Sequence, residues 1–561
     1  MAVPMCPRRP APRLAGLLAA VSAATGAVAT TYDFDVTCIE RTPRYNYDAT
    51  KNNPAPGDLV TFTGHIRNWG DTAGASVAYR WQLDGVTVAT GTLANFAAGQ
   101  ERTVTWQWNW QTGSHYIKLT ADPSSQFTEL SEQNNERTDR TDSLIVGFWV
   151  EQSVYTYFQQ HQRELPGIGS NSWDDWAQRQ IAKWNTMCAE AVWPISPQGV
   201  LDRFRLDKIV IVADGALPLH GGLPTNNPDL SDKTVDLMWG FPRTLLDGTF
   251  YTNHTSLTLD NAFYIETSLL HELGHARYLI DCYGFDTHNT AHSGGHDSVQ
   301  IWEGPTYVGG SSYMPYLAWG EVLYYNTSGG VMTGPYGFRW SPYEAGALNR
   351  IAGQRARCGN YNAPCNIGEY LQDLPGHNHM RFTDRYGRPR RAADIRVYRA
   401  VGDGQNWYGK TFDNTPDLLF TADGDGYVDF GRNPFAAGPI VHTYGTANGV
   451  MILRIAHQGQ IWYRFVEVSD FNQQYWQGNT QDAYYTLSVA GNEKPPGDLN
   501  CDGRVDFSDI NPFVMALVSR ADYEAAYPAC AWLNGDINGD GAVDFDDINP
   551  FVACLVAGGC P

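Results

Sequence analysis

Alternating hydrophobic and polar positions characterise residues 30–146. Four segments alternate in this way between turn residues: VTFTGHIRNWG, VAYRWQLDG, RTVTWQWNW and HYIKLTADP. A period of two sends successive side chains to opposite faces of a strand, so one face of each segment is apolar. Short strands separated by turns at this spacing predict an antiparallel β-sandwich.

The hydrophobic pattern changes near Gly147, where a helix and two apolar runs follow one another. Ser172 is placed to cap a helix whose apolar residues Trp176, Ile181 and Trp184 lie on one side. The runs DKIVIVADG and VDLMWGF are apolar at consecutive positions, as in buried strands. Residues 147–370 are therefore predicted to form a domain of mixed α and β structure.

Within that domain, the stretch TSLLHELGHARYLID carries apolar residues at helical spacing, namely Leu269, Leu273, Ala276 and Ile280. His271 and His275 are four residues apart, so their imidazoles stack on one face of the predicted helix and can reach one ion. Zinc prefers such nitrogen ligands and leaves one position open for water in catalytic sites. Glu272 is adjacent and suited to take a proton from a metal-activated water.

Residues 371–490 return to short strands and turns, which predicts a second β-sandwich. Its turn TADGDGYVD contains Asp423, Asp425 and Asp429, which form either a calcium site or a solvated turn. The polar segment GNEKPPGD follows as a linker to the C-terminal region.

The C-terminal region contains an internal repeat. The segment DLNCDGRVDFSD is matched by DINGDGAVDFDD, and INPFV follows each copy. Loop positions 1, 3, 5, 9 and 12 carry Asp or Asn, with Gly503 and Gly541 at position 6 for the sharp turn of an EF-hand-type loop. The predicted calcium ligands are Asp498, Asn500, Asp502, Asp506, Asp509, Asp536, Asn538, Asp540, Asp544 and Asp547.

Length and charge set limits on this organisation. A chain of 561 residues is too long for one core, and roughly three to five domains are expected. With 60 acidic against 39 basic residues, the formal net charge is −21. An acidic chain without a basic cluster after its first residues is not expected to bind nucleic acid.

The N-terminus has the pattern of a secretory signal peptide, assigned to residues 1–29. Arg8, Arg9 and Arg13 precede an apolar run that ends in the small-x-small segment Ala27-Val28-Ala29. No later run is long and apolar enough to span a membrane, so a secreted, extracellular protein is expected, with attachment to a cell surface as a further option.

Cysteine usage agrees with an oxidising compartment. Ten cysteines are present, and nine remain when Cys6 leaves with the signal peptide, so at least one is unpaired within the chain. Cys358 and Cys365 are close enough to close a small loop, and four others cluster near the C-terminus: Cys501, Cys530, Cys554 and Cys560. Without a C-x-x-C pair, a cysteine zinc site is not expected.

The segment HELGH resembles the H-E-x-x-H motif of the zincin metallopeptidases. In the metzincins this motif extends to a glycine and a third ligand, positions that Tyr278 and Asp281 occupy here. The resemblance therefore implies zinc held by His271, His275 and Asp281, with Glu272 as general base. It also implies a methionine turn at Met332, a final helix that Ser341 caps and Pro342 opens, an oxyanion-stabilising Tyr336, and VDLMWGF as the edge strand to which a peptide substrate adds.

Tyr278 departs from the metzincin pattern, where glycine lets the helix stop and turn back. If the helix instead continues to Gly284 as its C-terminal cap, Asp281 points away from the His271 face. The third ligand would then come from one of five downstream residues: His288, His292, His296, Glu303 or Glu321.

Three further modules are identified by resemblance. The pieces GDLVTFTGHIRNWGDT, WQLDGVTVATG and FTELSEQNNERTD resemble a bacterial adhesion-related Ig-like module, residues 371–490 resemble β-sandwiches appended to secreted peptidases, and the repeat resembles a type I dockerin. The predicted order is signal peptide 1–29, Ig-like β-sandwich 30–146, α+β zincin domain 147–370, β-sandwich 371–490 and small α-helical dockerin 491–561.

This order predicts a secreted zinc endopeptidase that acts on a protein or peptide substrate and binds a cohesin-type partner through its dockerin. Two alternatives stay open at the level of sequence. One is a non-catalytic adhesion or scaffold protein, and the other is a peptidase whose substrates are glycoproteins, within a system for polysaccharide catabolism.

Overall fold

The computed structural model describes most of the chain after the predicted signal peptide. The described residues are 31–42, 54–161, 172–217, 219–220, 223–224, 228–229, 231–232, 234–242, 250–252, 255–257, 265–285, 302–303, 306–307, 330–333, 338–353, 367–400, 415–443, 446–491 and 493–560. The predicted signal peptide lies outside them, as do Cys358 and Cys365.

The N-terminal unit is an antiparallel sandwich of two sheets, as the alternating pattern predicts. Its strands are β1 Phe34–Thr42, β2 Leu59–Asn68, β3 Gly74–Leu83, β4 Val86–Phe96, β5 Glu101–Asn109, β6 Tyr116–Ala121 and β7 Glu136–Arg140. The sheet orders are β1-β2-β5 and β4-β3-β6-β7. Phe34, Phe62 and Trp81 are buried between the sheets in its core.

The second unit mixes helices with a parallel sheet. Its elements are β8 Leu144–Glu151, α1 Gln152–His161, α2 Trp173–Glu190, β9 Phe204–Val212, β10 Leu219–His220, β11 Leu223–Pro224, β12 Leu237–Phe241, β13 Phe250–Thr252, β14 Thr255–Leu257, α3 Thr267–His275, β15 Trp302–Glu303, β16 Thr306–Tyr307 and α4 Pro342–Arg350, with 3-10 helices at Cys282–Phe285 and Val331–Thr333.

The parallel sheet of this unit has the order β12-β8-β9. Ser172 caps α2, as predicted, by accepting a hydrogen bond from the Asp175 amide at 3.0 Å. β8 begins at Leu144, so the sheet includes three residues that the sequence pattern assigned to the preceding module. β12, the predicted edge strand, lies at one end of the described sheet, and its side chains are buried.

The third unit also contains two sheets. Its elements are a 3-10 helix at Glu369–Gln372, β17 His377–Thr383, β18 Asp394–Arg399, β19 Leu418–Thr421, β20 Tyr427–Asp429, β21 His442–Thr443, β22 Thr446–Ala447, β23 Val450–His457, β24 Gln460–Glu467, α5 Val468–Trp476 and β25 Asp482–Ser488. The sheet orders are β20-β17-β25 and β19-β18-β23-β24, and their apolar faces belong to one core.

The C-terminal unit is helical. Its elements are α6 Ile510–Val518, α7 Arg520–Ala526 and α8 Ile548–Ala557, with 3-10 helices at Phe507–Asp509, Trp532–Gly535 and Phe545–Asp547. Disulfides join Cys501 to Cys530 and Cys554 to Cys560. Among the described residues, three cysteines are free and buried: Cys38, Cys188 and Cys282.

The second and third units share a continuous hydrophobic core. Tyr343 of α4 stacks on Trp476 of α5, with ring centroids 5.6 Å apart and an interplanar angle of 18°. Between these units, the Tyr343 hydroxyl donates to Asn472 Oδ1 at 2.9 Å. The third unit therefore supports α4 by direct packing.

No helix within the described ranges is both long and apolar enough to cross a bilayer.

Candidate metal centre

The helix that carries the two histidines ends at His275. Leu279 N donates to Gly274 O at 3.1 Å and Tyr278 N donates to His275 O at 2.9 Å, the hydrogen-bond pair of a Schellman motif. Tyr278 occupies its left-handed position with φ of 69°. The alternative in which the helix continues to Gly284 is therefore wrong, and Ala276 and Ile280 lie beyond the helix.

Tyr278 takes a conformation that glycine adopts most easily, because a left-handed residue with a Cβ costs roughly 1–2 kcal/mol. Its side chain is buried and packs with Ile351, and its carbonyl accepts a hydrogen bond from Gly368 N at 2.9 Å. These tertiary contacts hold a tyrosine in the turn where the metzincin motif has glycine.

The turn brings Asp281 back to the two histidines. Asp281 Oδ1 lies 3.0 Å from His271 Nε2 and 3.1 Å from His275 Nε2. The potential ligand atoms of the three residues all lie within 4.8 Å of one another. Two imidazole nitrogens and one carboxylate oxygen match the three protein ligands of a catalytic zinc site, with a fourth position left for water or substrate.

Each histidine is oriented through its other ring nitrogen. His271 Nδ1 donates to the carbonyl of Val331 at 3.0 Å, and His275 Nδ1 donates to the carbonyl of Leu279 at 2.7 Å. A proton fixed on Nδ1 leaves Nε2 as the ligand atom, and such carbonyl contacts commonly orient metal-binding histidines.

The charge at this site favours a cation. Burial lowers the pKa of His275, but the Asp281 carboxylate, with a smaller contribution from Glu272, outweighs it and raises the pKa to about 9. The protein field thus stabilises positive charge between the imidazoles and Asp281. The donor set fits a divalent metal, and His271, His275 and Asp281 would hold it.

Met332 lies in the 3-10 turn beneath the helix, where it is completely buried. A Cβ at Gly274 would lie 2.5 Å from Met332 Sδ, so the helix approaches this turn closely only because residue 274 is glycine. The turn also supplies the Val331 carbonyl that orients His271.

Glu344 connects the turn that contains Met332 to α4. The sequence alone did not indicate this positioning role. Glu344 Oε1 accepts from Met332 N at 2.7 Å, and its Oε2 accepts from Ser341 N at 2.6 Å. Burial raises the pKa of Glu344, while these backbone donors oppose the shift. The available signal was the capping box that Ser341 and Glu344 form at the start of α4, which Pro342 opens as predicted.

Glu272 lies on α3 between the two histidines and is half-buried, outside the group of three ligand atoms. Of Glu303 only the backbone is described, in β15. Four other predicted ligands and the predicted oxyanion stabiliser lie outside the described residues: His288, His292, His296, Glu321 and Tyr336. Within the described part of the chain, Asp281 is the acidic residue that lies with the two histidines in a group of potential metal ligands.

The turn between β19 and β20 does not gather its three aspartates. Asp423 Oδ1 accepts from the amides of Asp425 and Tyr427 at 2.9 and 2.8 Å, whereas Asp429 pairs with His377 at 2.8 Å. These contacts favour the solvated turn over the calcium site.

The two C-terminal loops repeat the same hydrogen bonds. Asp509 Oδ1 accepts from the amides of Leu499 and Asn500 at 2.8 and 3.0 Å, and Asp547 Oδ1 accepts from those of the corresponding residues at 2.7 and 3.0 Å. Gly503 and Gly541 have φ of 92° and 88°, the left-handed conformation that position 6 requires. Each loop is therefore pinned by its last aspartate.

The first and last carboxylates of each loop, those of Asp498, Asp509, Asp536 and Asp547, are buried. Burial raises the pKa of Asp498 and of Asp536. Asp498 Oδ1 is fully buried and has no hydrogen-bond partner among the described residues. A buried, unsatisfied carboxylate oxygen in a loop of oxygen donors fits a hard cation such as calcium. The other predicted ligands lie nearer the loop surfaces: Asn500, Asp502, Asp506, Asn538, Asp540 and Asp544.

Comparison with known proteins finds similarity in the N-terminal unit. Residues 42–139 match the family model described as CARDB. The CARDB domain of a Pyrococcus furiosus protein, solved in complex with di-metal ions, is 21% identical, with coverage of 21% of this chain and 96% of that chain and a TM-score of 0.17.

A domain of a putative cell surface protein from Methanosarcina acetivorans is 22% identical, with coverage of 20% and 93% and a TM-score of 0.17. A Paenibacillus cycloisomaltooligosaccharide glucanotransferase is 17% identical, with coverage of 24% and 18% and a TM-score of 0.14. No curated protein matches the chain. The CARDB match supports the Ig-like, adhesion-related module expected at the N-terminus.

The geometry of the histidine site predicts that Asp281→Ala lowers zinc affinity by more than about 100-fold, because two histidines alone hold zinc poorly. Asp281→His should keep substantial binding, since imidazole also ligates zinc. Zinc content after dialysis, measured by atomic absorption, checks this, with Asp482→Ala as a control at an exposed acid. Full zinc retention in Asp281→Ala, with loss on replacing a downstream histidine, would contradict the assignment.

The loops predict that Asp498→Ala combined with Asp536→Ala removes two calcium ions per chain and leaves zinc content unchanged. Each substitution removes a buried ligand from one loop. Calorimetric titration of the full chain gives the stoichiometry, and Asp423→Ala is the matched control in the solvated turn. An unchanged calcium count in the double variant would rule out these loops as calcium sites.

Proposed function

We propose that this protein is a secreted zinc endopeptidase that hydrolyses peptide bonds in a protein or peptide substrate. The observation that carries the proposal is the convergence of His271, His275 and Asp281 in a buried site, with Glu272 on the same helix. The secreted location is proposed from the signal-peptide pattern of residues 1–29.

A zinc ion bound there supplies a Lewis acid, which polarises a carbonyl and makes water a stronger acid. Glu272 serves as general base and accepts a proton from the attacking water. It then donates that proton to the amine nitrogen that leaves as the peptide bond breaks. His271, His275 and Asp281 would hold the zinc ion, and the proton transfers are assigned to Glu272 alone.

Three features of the surroundings support a metzincin-like centre. The chain turns at Tyr278, Met332 lies beneath the helix, and Glu344 fixes the methionine turn through its backbone amide. Each contact limits the movement of a ligand-bearing segment. Catalysis benefits from such rigidity, because a displaced ligand changes the position of the reacting atoms.

The proposal predicts that Glu272→Gln lowers the rate of peptide hydrolysis by about 100-fold or more while zinc stays bound, because the residue acts as a base and not as a ligand. Turnover of a denatured protein substrate and zinc content should be measured on the same preparation. Glu190→Gln, at an exposed position at the end of α2, is a matched control. A wild-type protein that binds zinc but never cleaves protein would favour the adhesion or scaffold alternative, and selective cleavage of glycosylated substrates would favour the glycoprotein alternative.

We further propose that the C-terminal unit is a dockerin whose helices bind a cohesin-type partner. The two repeats expose apolar side chains at the same positions. Phe507 and Phe545 are 78% and 81% exposed, and Val518 and Val556 are 81% and 85% exposed. Ile510, Val514, Ile548 and Val552 continue this surface on α6 and α8. Duplicated apolar side chains at a surface are typical of a protein-binding site.

This docking proposal predicts that replacing Phe507, Val518, Phe545 and Val556 together by serine weakens binding to a purified cohesin domain by at least about 100-fold. Calcium stoichiometry should stay unchanged, since none of these residues is a loop ligand. Leu419→Ser, at an exposed apolar residue of the third unit, is the control. Undiminished cohesin binding by the quadruple variant would exclude this surface.

A further inference from the structure

Buried acidic residues meet where the N-terminal sandwich packs on the start of α2. Asp33 and Asp35 flank Phe34, whose ring enters the sandwich core, so both acidic side chains leave the strand on the opposite side. Both are completely buried. Asp174 and Asp175 in the first turn of α2 are also buried, and their charges act on Asp35.

Two oxygen atoms in this cluster are left without hydrogen-bond partners. Asp35 Oδ2 accepts from Trp69 Nε1 at 3.0 Å and from Ser172 Oγ at 3.1 Å, whereas Asp35 Oδ1 has no partner among the described residues. Asn134 Nδ2 donates to Asp33 Oδ1 at 3.0 Å, and Asn134 Oδ1 is likewise unpartnered. Buried polar atoms are nearly always satisfied by protein, water or an ion.

The Nε groups of the two neighbouring arginines make their hydrogen bonds to other acceptors. Arg179 Nε pairs with Asp175 at 2.9 Å, and Arg137 Nε donates to the carbonyl of Val36 at 3.0 Å. Burial, together with the charge of Asp175, raises the pKa of Asp35 well above its usual range, although the charge of Arg137 opposes this shift. A cation beside Asp35 Oδ1 would stabilise the charged form of this carboxyl group.

We propose that Asp33, Asp35 and Asn134 hold a divalent cation of the calcium type at the junction of the N-terminal sandwich and the second unit. The donors are carboxylate and amide oxygens, which a hard cation prefers over zinc or copper. This site uses none of the residues of the histidine site or of the C-terminal loops. The inference therefore stands independently of the proposed peptidase and dockerin functions.

The cation would link three parts of the chain. Asp33 and Asp35 belong to the start of the N-terminal sandwich, and Asn134 lies just before β7. Ser172, which contacts Asp35, caps α2 of the second unit. An ion bound to the folded junction but not to the unfolded chain stabilises that junction by mass action. Calcium then sets how firmly the adhesion-related module is held on the unit that carries the histidine site.

The stoichiometry of calcium binding to the full chain tests the proposal. We expect three calcium ions in the wild type, two in Asp35→Asn, and one in the chain that carries Asp498→Ala and Asp536→Ala. Asp35→Asn keeps the shape of the side chain but removes its charge, and adding it to the double variant should weaken the remaining site at least tenfold. Asp84→Asn, at an exposed turn of the same module, should leave three ions bound.

A second measurement uses Trp69, whose indole contacts Asp35. In the Asp498→Ala, Asp536→Ala chain, terbium bound at the junction should emit when tryptophan is excited, and calcium should displace it. Calcium should also raise the melting temperature of that chain, which keeps the test valid if Asp35→Asn does not fold. No bound calcium, no terbium emission or an unshifted melting temperature in the double variant would overturn the proposal, as would full binding after Asp35→Asn in a folded chain.

Discussion

The histidine site depends on the left-handed turn at Tyr278. On a continued helix, Asp281 would lie about 15 Å along the axis from His271, because ten residues each rise by about 1.5 Å. The observed separation of 3.0 Å between their ligand atoms exists only because α3 ends at His275. The conformational cost at Tyr278 is offset by burial of its side chain and by the hydrogen bond that its carbonyl accepts from Gly368.

Support for this site extends well beyond the helix that carries it. Val331 orients His271, Glu344 holds the amide of Met332, and α4 positions Glu344 through its capping box. α4 in turn packs on α5 of the third unit, where Tyr343 stacks on Trp476. Residues predicted as an appended β-sandwich therefore form part of the packing behind the candidate metal centre, and a shared core makes the two units structurally interdependent.

The acidity of the chain has local structural consequences. Carboxylates are buried at the histidine site, in both C-terminal loops and at the junction of the first two units, where desolvation penalises their charge. A cation can offset that penalty at each place, but the donors differ. Nitrogen ligands at the histidine site suit zinc, whereas all-oxygen donors at the other places suit calcium. Net charge alone could not have separated these locations.

The sequence by itself determined the features that depend on neighbouring residues. Strand alternation indicated the N-terminal sandwich, Ser172 and Ser341 marked helix starts, and the spacing of His271 and His275 placed two imidazoles on one face. Tertiary structure decided where α3 stops, which carboxylate joins the histidines, and which distant groups orient them. The contacts of Val331 with His271 and of Asp35 with Ser172 join segments 60 and 137 residues apart. Local periodicity carries no information about such pairs, because they form only when separate elements pack together.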